Sequence, residues 1–539
     1  REHFTPREVI KLMTNLVFIP VKNKLPNPLT IYDPACGSGG MLTESQDFIT
    51  DPDGEVRATV GVYLYGQEVN PETYAICKSD MMIKGNDPEN MKCGSTLSTH
   101  GFARLRFDFM LTNPPYGKSW KSEQKNILDG KEVIDPRFEV GLTDFRGEKE
   151  TALPAVPRSS DGQLLFLMEM VSKMKSLADS PLGSRIASVH NGSALFTGDA
   201  GSGESNIRRF LIENDYLEAI IQLPNNLFYN TGITTYVWVL SNKKQAKRRG
   251  KVQLIDASAL YQKLRKNLGE KNCEFSDEHI HQITKLYQQM PEEGISKVFD
   301  GRDFGYYKVI VERPLRLSAR FTPDRVATLR FTPGMQEIME WAWKRFGDDV
   351  YKKPASHAAA IDLYLEQEEI ELSPKNKKQL LSVSTWKAQK TILEAAEKLA
   401  ADIGDAEYLD FNELKILVDK AATSLGLELS SFELKQILGA VSLRDEKAAK
   451  VVKKVHELSG KKLAELVDEL GTTQEHLADY GYWPGDEEGE YIEYETDSEL
   501  RDTENVPLDK DPKRSASEVI HDYFVKEVRP HVADAWIDL

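Results

Sequence analysis

Four consecutive residues, Asn113-Pro114-Pro115-Tyr116, carry groups that could act on an amine. They directly follow the apolar, β-rich run 107–112, so we expect them at the end of a strand. Each proline fixes φ at about −65°, which could hold the Asn113 amide oxygen and the Pro114 carbonyl toward one amino group. Two such acceptors would favour a more nucleophilic nitrogen. The motif therefore predicts group transfer to an amine by alignment and electrostatics, without a metal.

A glycine-rich turn, Asp33-Pro34-Ala35-Cys36-Gly37-Ser38-Gly39-Gly40, links a second apolar run to a helical pattern. Glycine supplies positive φ and lacks a Cβ, and the opening of a helix offers free N–H groups to a ligand. Glu68 ends the next apolar run, where a carboxylate can accept hydrogen bonds from a ribose diol. Taken singly, the turn could be structural and Glu68 an N-cap. Their order along the chain favours a nucleoside-binding site.

The elements that must position these residues alternate between strands and amphipathic helices. Seven strands are predicted, at 30–32, 62–67, 107–112, 185–190, 217–223, 234–240 and 251–256. Helices are predicted between them, at 6–16, 40–48, 71–84, 163–175 and 205–213. This order predicts an α/β fold with a doubly wound, mostly parallel, seven-stranded Rossmann-like sheet, followed by a mainly helical C-terminal region.

The length of 539 residues predicts more than one domain. We place the first domain at 1–320, a helical region at 321–475, and an acidic linker with the C-terminal tail at 476–539. The helical pattern is clearest at 411–426, 430–440 and 443–470, and residues 485–502 suggest a solvated linker. The segment 117–161 interrupts the first domain and is expected to be a functional lid or a disordered insert.

Composition restricts location and partners. No apolar run approaches the roughly 18 to 20 residues that span a bilayer, and the first residues lack a signal-peptide pattern, so a cytoplasmic protein is predicted. The four cysteines lack C-x-x-C spacing, and His279 and His281 lack a third ligand, so no metal site is expected. The net charge of −16 argues against this chain alone gripping a long DNA duplex.

In their order, these motifs resemble the amino-methyltransferase family, which uses S-adenosyl-L-methionine as methyl donor. The resemblance implies a donor site formed by Glu2, His3, Phe4, Thr5, Pro6, Arg7, Asp33, Ala35, Cys36, Gly37, Ser38, Gly39, Gly40, Glu68 and Asn113. It implies a catalytic loop at Asn113, Pro114, Pro115 and Tyr116. Many relatives carry an aspartate that accepts from the donor's adenine amine, whereas this chain has Ser95 at that position.

An amine on a base in a duplex must be turned out of the helix, at a cost of roughly a few kcal/mol. Tyr116 is predicted to stack on that base, with Phe228 or Tyr229 as a second wall. Stacking on an aromatic side chain contributes about 1 to 3 kcal/mol per base, which is the size that the task requires.

More narrowly, the stretches 4–7, 223–232, 311–316 and 502–508 resemble the methylation subunit of type I restriction-modification systems. That resemblance implies DNA adenine-N6 methylation, with a specificity subunit that reads DNA and a restriction (nuclease and translocase) subunit as partners. The family usually begins with a helical domain ahead of Phe4, whereas this sequence starts almost on that motif, and the resemblance leaves open whether the chain is truncated. The alternatives are a stand-alone DNA methyltransferase, an enzyme acting on a protein glutamine or an RNA amine, and a non-catalytic scaffold.

Overall fold

The computed structural model describes residues 4–144 and 149–539. The described chain forms two compact units, Arg1–Tyr307 with Val506–Ala516, and Lys308–Asn505 with Ser517–Leu539. The region 476–539 is thus divided between the units. The three domains proposed from the sequence stay a prediction, because compactness alone does not establish independent folding.

A twisted central sheet organises the first unit. Within the described residues its nine strands are β1 Leu29–Asp33, β2 Val62–Glu68, β3 Met91–Cys93, β4 Phe109–Thr112, β5 Arg185–Asn191, β6 Leu217–Gln222, β7 Thr235–Ser241, β8 Lys251–Asp256 and β9 Ser296–Asp300. Their order across the sheet is β9-β8-β6-β7-β5-β4-β1-β2-β3. Only β7 and the edge strand β9 run antiparallel to their neighbours. The predicted, mostly parallel α/β sheet is confirmed.

All seven predicted strands are present, and the sequence missed the two edge strands, β3 and β9. β3 has three residues, too few to show a period. β9 reads Ser-Lys-Val-Phe-Asp, and its polar ends mask the apolar centre. Edge strands of this kind are short or polar because one side of their backbone lacks a strand partner.

Alternating side chains send apolar residues from the same strands to both faces of the sheet. Ile31 and Phe109 belong to one core cluster, whereas their neighbours Tyr32 and Met110 belong to the other. Helices α1 Arg7–Phe18, α2 Gly40–Thr50, α3 Pro71–Ile83 and α6 Asp277–Gln289 contribute to the first cluster, and α4 Gln163–Ser172 and α5 Gly203–Glu213 to the second. Both faces are therefore covered, as the doubly wound fold requires.

The described part of the insert 117–161 is folded rather than disordered. Its elements are a short helix, Gln124–Ile127, and two hairpins, Leu128–Asp129 with Glu132–Val133 and Glu139–Thr143 with Glu150–Pro154. Ile127 and Phe138 are buried in the same core as α4. The two ends of the insert pair through Trp120 N to Ser159 O at 3.0 Å and Gly162 N to Lys118 O at 3.1 Å. The insert is thus anchored beside the predicted catalytic loop.

The second unit is mainly helical, as predicted. Its helices are Pro323–Ala327, Gln336–Phe346, Ala358–Gln367, Pro374–Leu380, Val383–Ile403, Phe411–Ser424, Ser431–Val441, Gly460–Leu470 and Ala516–Tyr523. The strands wholly within this unit are Leu317–Ala319, Ser442–Arg444, Val452–Glu457, Trp483–Pro484, Glu490–Tyr494 and Trp536–Asp538, and the strands Tyr306–Glu312 and Asp502–Pro507 belong partly to each unit. No described helix in either unit has both the length and the apolar character needed to cross a bilayer.

Two sequence predictions for this unit are wrong. A continuous helix at 443–470 was expected, but Val452–Glu457 is a strand and only Gly460–Leu470 is helical. The predicted linker at 485–502 contains the strand Glu490–Tyr494, which pairs antiparallel with Val452–Glu457. Each segment depends on the other, because Val455 lies opposite Ile492 and neither stretch can pair its backbone alone.

Candidate active site

Three loops with the predicted functional residues meet at the carboxyl edge of the central sheet. β1 pairs in parallel with β2 on one side and with β4 on the other, so the three strands end together. The residues that follow them line one cavity of about 470 Å³. Cavities of about 300 to 1,000 Å³ hold small molecules and cofactors. The sheet therefore brings the glycine-rich turn, Glu68 and Asn113 to one site.

The glycine-rich turn has the backbone geometry that the sequence predicted. Gly37 and Gly39 have φ values of +54° and +88°, in the region that glycine adopts most easily. Gly37 and Gly40 face the cavity, and a Cβ at either position would meet no atom within 4 Å. α2 begins at Gly40 without a side-chain cap, so its first N–H groups are left for other acceptors. The backbone of the glycine-rich turn and the open space beside Gly37 and Gly40 therefore form a surface, called the cradle below, that a ligand can approach closely.

Glu68 ties this turn to β2. One carboxylate oxygen accepts from Gly37 N at 3.0 Å, and the other accepts from Asn70 N at 2.8 Å. Two carboxylate oxygens offer about four lone-pair positions, so each can also accept from a ligand hydroxyl. The side chain lines the cavity and is half-buried. This arrangement fits a diol-binding carboxylate.

Asp33 connects β1 with the end of β4. Its Oδ1 accepts from Thr112 Oγ1 at 2.6 Å and from Ala35 N at 2.9 Å. Burial raises the pKa of Asp33 to about 7, against the opposing effect of these two hydrogen bonds. Because Thr112 precedes Asn113, the Asp33 side chain links the glycine-rich turn to the predicted catalytic loop.

We expect Asp33→Asn to change how stability depends on pH. A pKa raised in the folded state means that the folded protein holds the proton more tightly, so this group's stabilisation is complete below about pH 4 and is lost as pH rises through 7. The variant should match the wild type near pH 4 and exceed it at pH 8 by roughly 2 to 4 kcal/mol. Thermal unfolding across this range measures the difference. Exposed Asp53→Asn is the control, and a constant difference at every pH would contradict the titration of Asp33.

Asn113 lies at the end of β4 and lines the cavity with Pro114 and Pro115. Its side-chain Nδ2 donates to Thr5 Oγ1 at 3.1 Å, which fixes the orientation of the amide. At the far end of the loop, Gly117 N donates to the buried Asp161 Oδ1 at 3.0 Å. The tetrapeptide is therefore held at both ends, as its predicted role requires.

The three residues predicted to stack on the base, Tyr116, Phe228 and Tyr229, are absent from the lining of the described cavity. Tyr116 and Phe228 are only 6% and 1% exposed and belong to the same core cluster as β1 and β4. Tyr229 is half-buried, with Lys271 Nζ 5.7 Å from its ring centre. None of the three lines the described cavity: Tyr116 and Phe228 are packed in the core, and Tyr229 lies outside the lining. Their role in stacking stays a prediction.

Most predicted donor residues come together. The cavity is lined by Phe4, Thr5, Asp33, Ala35, Cys36, Gly37, Ser38, Gly40, Glu68 and Asn113. Three others lie outside its lining: Pro6 is buried at the start of α1, exposed Arg7 is ion-paired with Glu44 at 3.1 Å, and Gly39 faces α3. Glu2 and His3 fall outside the described residues.

Sequence reasoning missed the wall contributed by the insert and α4. Trp120, Glu123 and Phe166 line the cavity, and Ser95 donates to Glu123 Oε1 at 3.3 Å. One signal was available, because the insert begins immediately after the tetrapeptide and must stay near it. A pattern search along the chain cannot show which of its side chains turns inward.

One possible metal-binding cluster occurs among the described residues, in the second unit. It consists of His476, Asp479 and His521, whose ligand atoms lie within 4.8 Å of one another. Arg529 also donates to Asp479, so a guanidinium already compensates the charge of this carboxylate. We assign the cluster no metal.

Known families and solved structures include proteins that are similar to this chain. The family model for N-6 DNA methylase matches residues 1–305. The chain is 32% identical to the type I restriction enzyme MjaVII methylase subunit of Methanocaldococcus jannaschii, over 56% of this chain and 46% of the relative. It is 29% identical to the HindI methylase subunit of Haemophilus influenzae, over 48% and 49%.

Among solved structures, the type I restriction-modification methyltransferase subunit from Streptococcus thermophilus is 27% identical with a TM-score of 0.43, and the match covers 56% of each chain. The chain spans about half the length of the curated relatives it matches. The family match alone covers more than half of this chain, including every loop of the cavity described above. The chain belongs to the N-6 DNA methylase family.

Proposed function

We propose that this chain transfers a methyl group from S-adenosyl-L-methionine to the N6 amine of adenine in DNA. The main observation in support of this function is that Asn113, Pro114 and Pro115 line the same cavity as the glycine-rich turn and Glu68. An acceptor site for an amine and a cradle for a nucleoside donor thus share one space. Membership of the N-6 DNA methylase family supports the choice of adenine in DNA over a protein or RNA amine.

The donor fits the residues that line the cavity. Glu68 would accept from its ribose hydroxyls, and the open space beside Gly37 and Gly40 would admit it against the backbone. The uncapped N–H groups of α2 suit its carboxylate, since helix N-termini favour anions. When bound, the donor supplies an electrophilic methyl group on a sulfonium.

The chain's own contribution is to prepare the amine. The Asn113 side-chain oxygen and the Pro114 carbonyl would accept its two hydrogens and turn its lone pair toward the donor side of the cavity. Such alignment avoids the entropy cost of bringing reactants together, which can lower a barrier by about 7 to 11 kcal/mol. The hydrogen bond from Asn113 to Thr5 keeps the amide in place before the base arrives. Extrusion of the adenine from the duplex would bring its amine to the loop 113–116. We further propose that Tyr116, Phe228 or Tyr229 stacks on the extruded base.

We also propose that the chain works as the modification subunit of a type I restriction-modification complex. Its relatives from Methanocaldococcus jannaschii and Haemophilus influenzae are named methylase subunits of type I restriction enzymes. A net charge of −16 supports delegation of DNA reading to a specificity subunit. We further propose that a restriction subunit is a second partner and that the protein is located in the cytoplasm.

Long-read methylation mapping tests this proposal. The chain would be co-expressed with its neighbouring specificity subunit, with Asn113→Ala as the control. We expect N6-methyladenine at a split, two-part site in the wild type and none in the control. Unmodified DNA, despite donor binding and complex assembly, would contradict DNA methylation and favour another amine substrate or a scaffold.

A further inference from the structure

Among the described residues, three carboxylates line the cavity, and two of them already accept hydrogen bonds that hold the sheet-edge loops together. Asp33 holds Thr112 and the backbone of Ala35, and Glu68 holds the backbone of Gly37 and Asn70. The third, Glu123, comes from the insert rather than from the sheet edge. The proposed function gives the first two a role and leaves the third without one.

The contacts of Glu123 leave it able to accept more hydrogen bonds. Its oxygens accept from the hydroxyls of Ser95 at 3.3 Å and Ser122 at 2.5 Å. Its backbone N donates to Trp120 O at 3.0 Å, which fixes this turn of the insert. Because both side-chain partners are hydroxyl donors, lone pairs of the carboxylate remain for a donor on the ligand.

The surrounding wall suits the faces of an aromatic heterocycle. Leu97, Trp120 and Phe166 line the cavity together with Glu123. Trp120 Nε1 donates to Arg158 O at 3.0 Å, which sets the plane of the indole. Arg137, itself buried, donates to Leu97 O at 3.1 Å and holds that segment in place. This wall is therefore rigid and apolar, with one carboxylate at its edge.

We propose that Glu123 accepts a hydrogen bond from the exocyclic amine of the donor's purine and thereby selects an adenine nucleoside. The assignment rests on the proposed function. The ribose is assigned to Glu68, and the amino-acid end of the donor, with its carboxylate and α-ammonium, to the start of α2. The purine at the other end of the ribose is then left for the wall that holds Glu123. The wall has an apolar part and a charged part. The apolar side chains of Leu97, Trp120 and Phe166 suit the flat purine ring, and the carboxylate of Glu123 suits the amine of the purine.

Removing the purine amine from the ligand tests whether Glu123 binds that amine or only supports the structure of the cavity. S-adenosylhomocysteine and its analogue with hydrogen in place of the purine amine would be titrated by calorimetry into the wild type, Glu123→Ala and Glu123→Gln. The wild type should bind the analogue about tenfold or more weakly, the size of a lost hydrogen bond to a charged group. Glu123→Ala should bind S-adenosylhomocysteine more weakly and discriminate little between the two ligands, and Glu123→Gln, which keeps a neutral acceptor oxygen, should lie between Glu123→Ala and the wild type. Glu132→Gln, an exposed charge on the same insert, should behave like the wild type.

The outcomes distinguish this inference from the function on which it rests. Equal affinity of the wild type for both ligands, or undiminished discrimination by the folded variants, would overturn the role of Glu123 and leave methyl transfer intact. Failure of the wild type to bind S-adenosylhomocysteine at all would overturn the proposed function, and the inference with it. The wild-type comparison needs no substitution, so it holds even if a variant does not fold.

Discussion

Replacing Asn113 with alanine is expected to lower the rate of methyl transfer by about 100- to 1,000-fold or more, while donor affinity changes little. One preorganised hydrogen-bond partner at a reacting centre typically has an effect of that size. The alanine removes the side-chain acceptor for the amine and the hydrogen bond to Thr5 Oγ1, but leaves Glu68 and the glycine-rich turn unchanged.

Single-turnover methylation assays and donor calorimetry together test this expectation. Asn23→Ala, which truncates an exposed asparagine in the same unit, is the matched control and should retain both properties. A parallel loss of donor binding in Asn113→Ala would show that Asn113 holds the donor rather than the amine. Unchanged turnover would remove it from the reaction altogether.

Gly39→Val is expected to have the opposite profile, with donor binding lost first. Gly39 has a φ of +88°, which a β-branched residue adopts only with strain of about 1 to 3 kcal/mol. Its Cβ would lie 2.7 Å from Met81 Cε and 2.9 Å from Cys77 Sγ, so the turn or these two side chains of α3 must shift. A distorted cradle should weaken donor binding by roughly 100-fold and lower the thermal stability.

Calorimetry and thermal unfolding measure both effects. Gly439→Val is the control, because this exposed glycine lies within the helix Ser431–Val441 and has open space around its Cβ position. Equal losses of donor affinity in Gly39→Val and Asn113→Ala would overturn the division of roles between the two loops. Full donor affinity in Gly39→Val would show that the turn tolerates the change.

The sheet and its ligand-facing loops could be predicted because their signals are local. Buried parallel strands such as β1 and β4 appear as short apolar runs, and the residues after them must lie at one edge. Asp33, Glu68 and Asn113 were found in this way. Their convergence follows from strand order, which the alternation of strands and helices already favours.

The remaining errors concern contacts between distant segments. The strand Val452–Glu457 acquires its partner from Glu490–Tyr494, and each stretch is rich in charge and ambiguous by itself. Glu123 accepts from Ser95, which lies 28 positions earlier in the chain, and the two ends of the insert pair with each other. Tyr116 is aromatic and adjacent to Asn113, yet packing rather than sequence position decides whether its ring faces a ligand. Long-range pairing and packing were the missing information.

The pairing that anchors the insert has a consequence for engineering. The insert returns beside its starting point through Trp120 with Ser159 and Gly162 with Lys118, so its two ends form one short stem. Trp120 lies on this stem, lines the cavity and is buried in the core cluster that also contains Met110 of β4. Trimming that indole should open space for donors with enlarged purines. Under the proposed function, such variants would transfer the group of a synthetic donor to DNA, and the cell's other methyltransferases would not accept that donor.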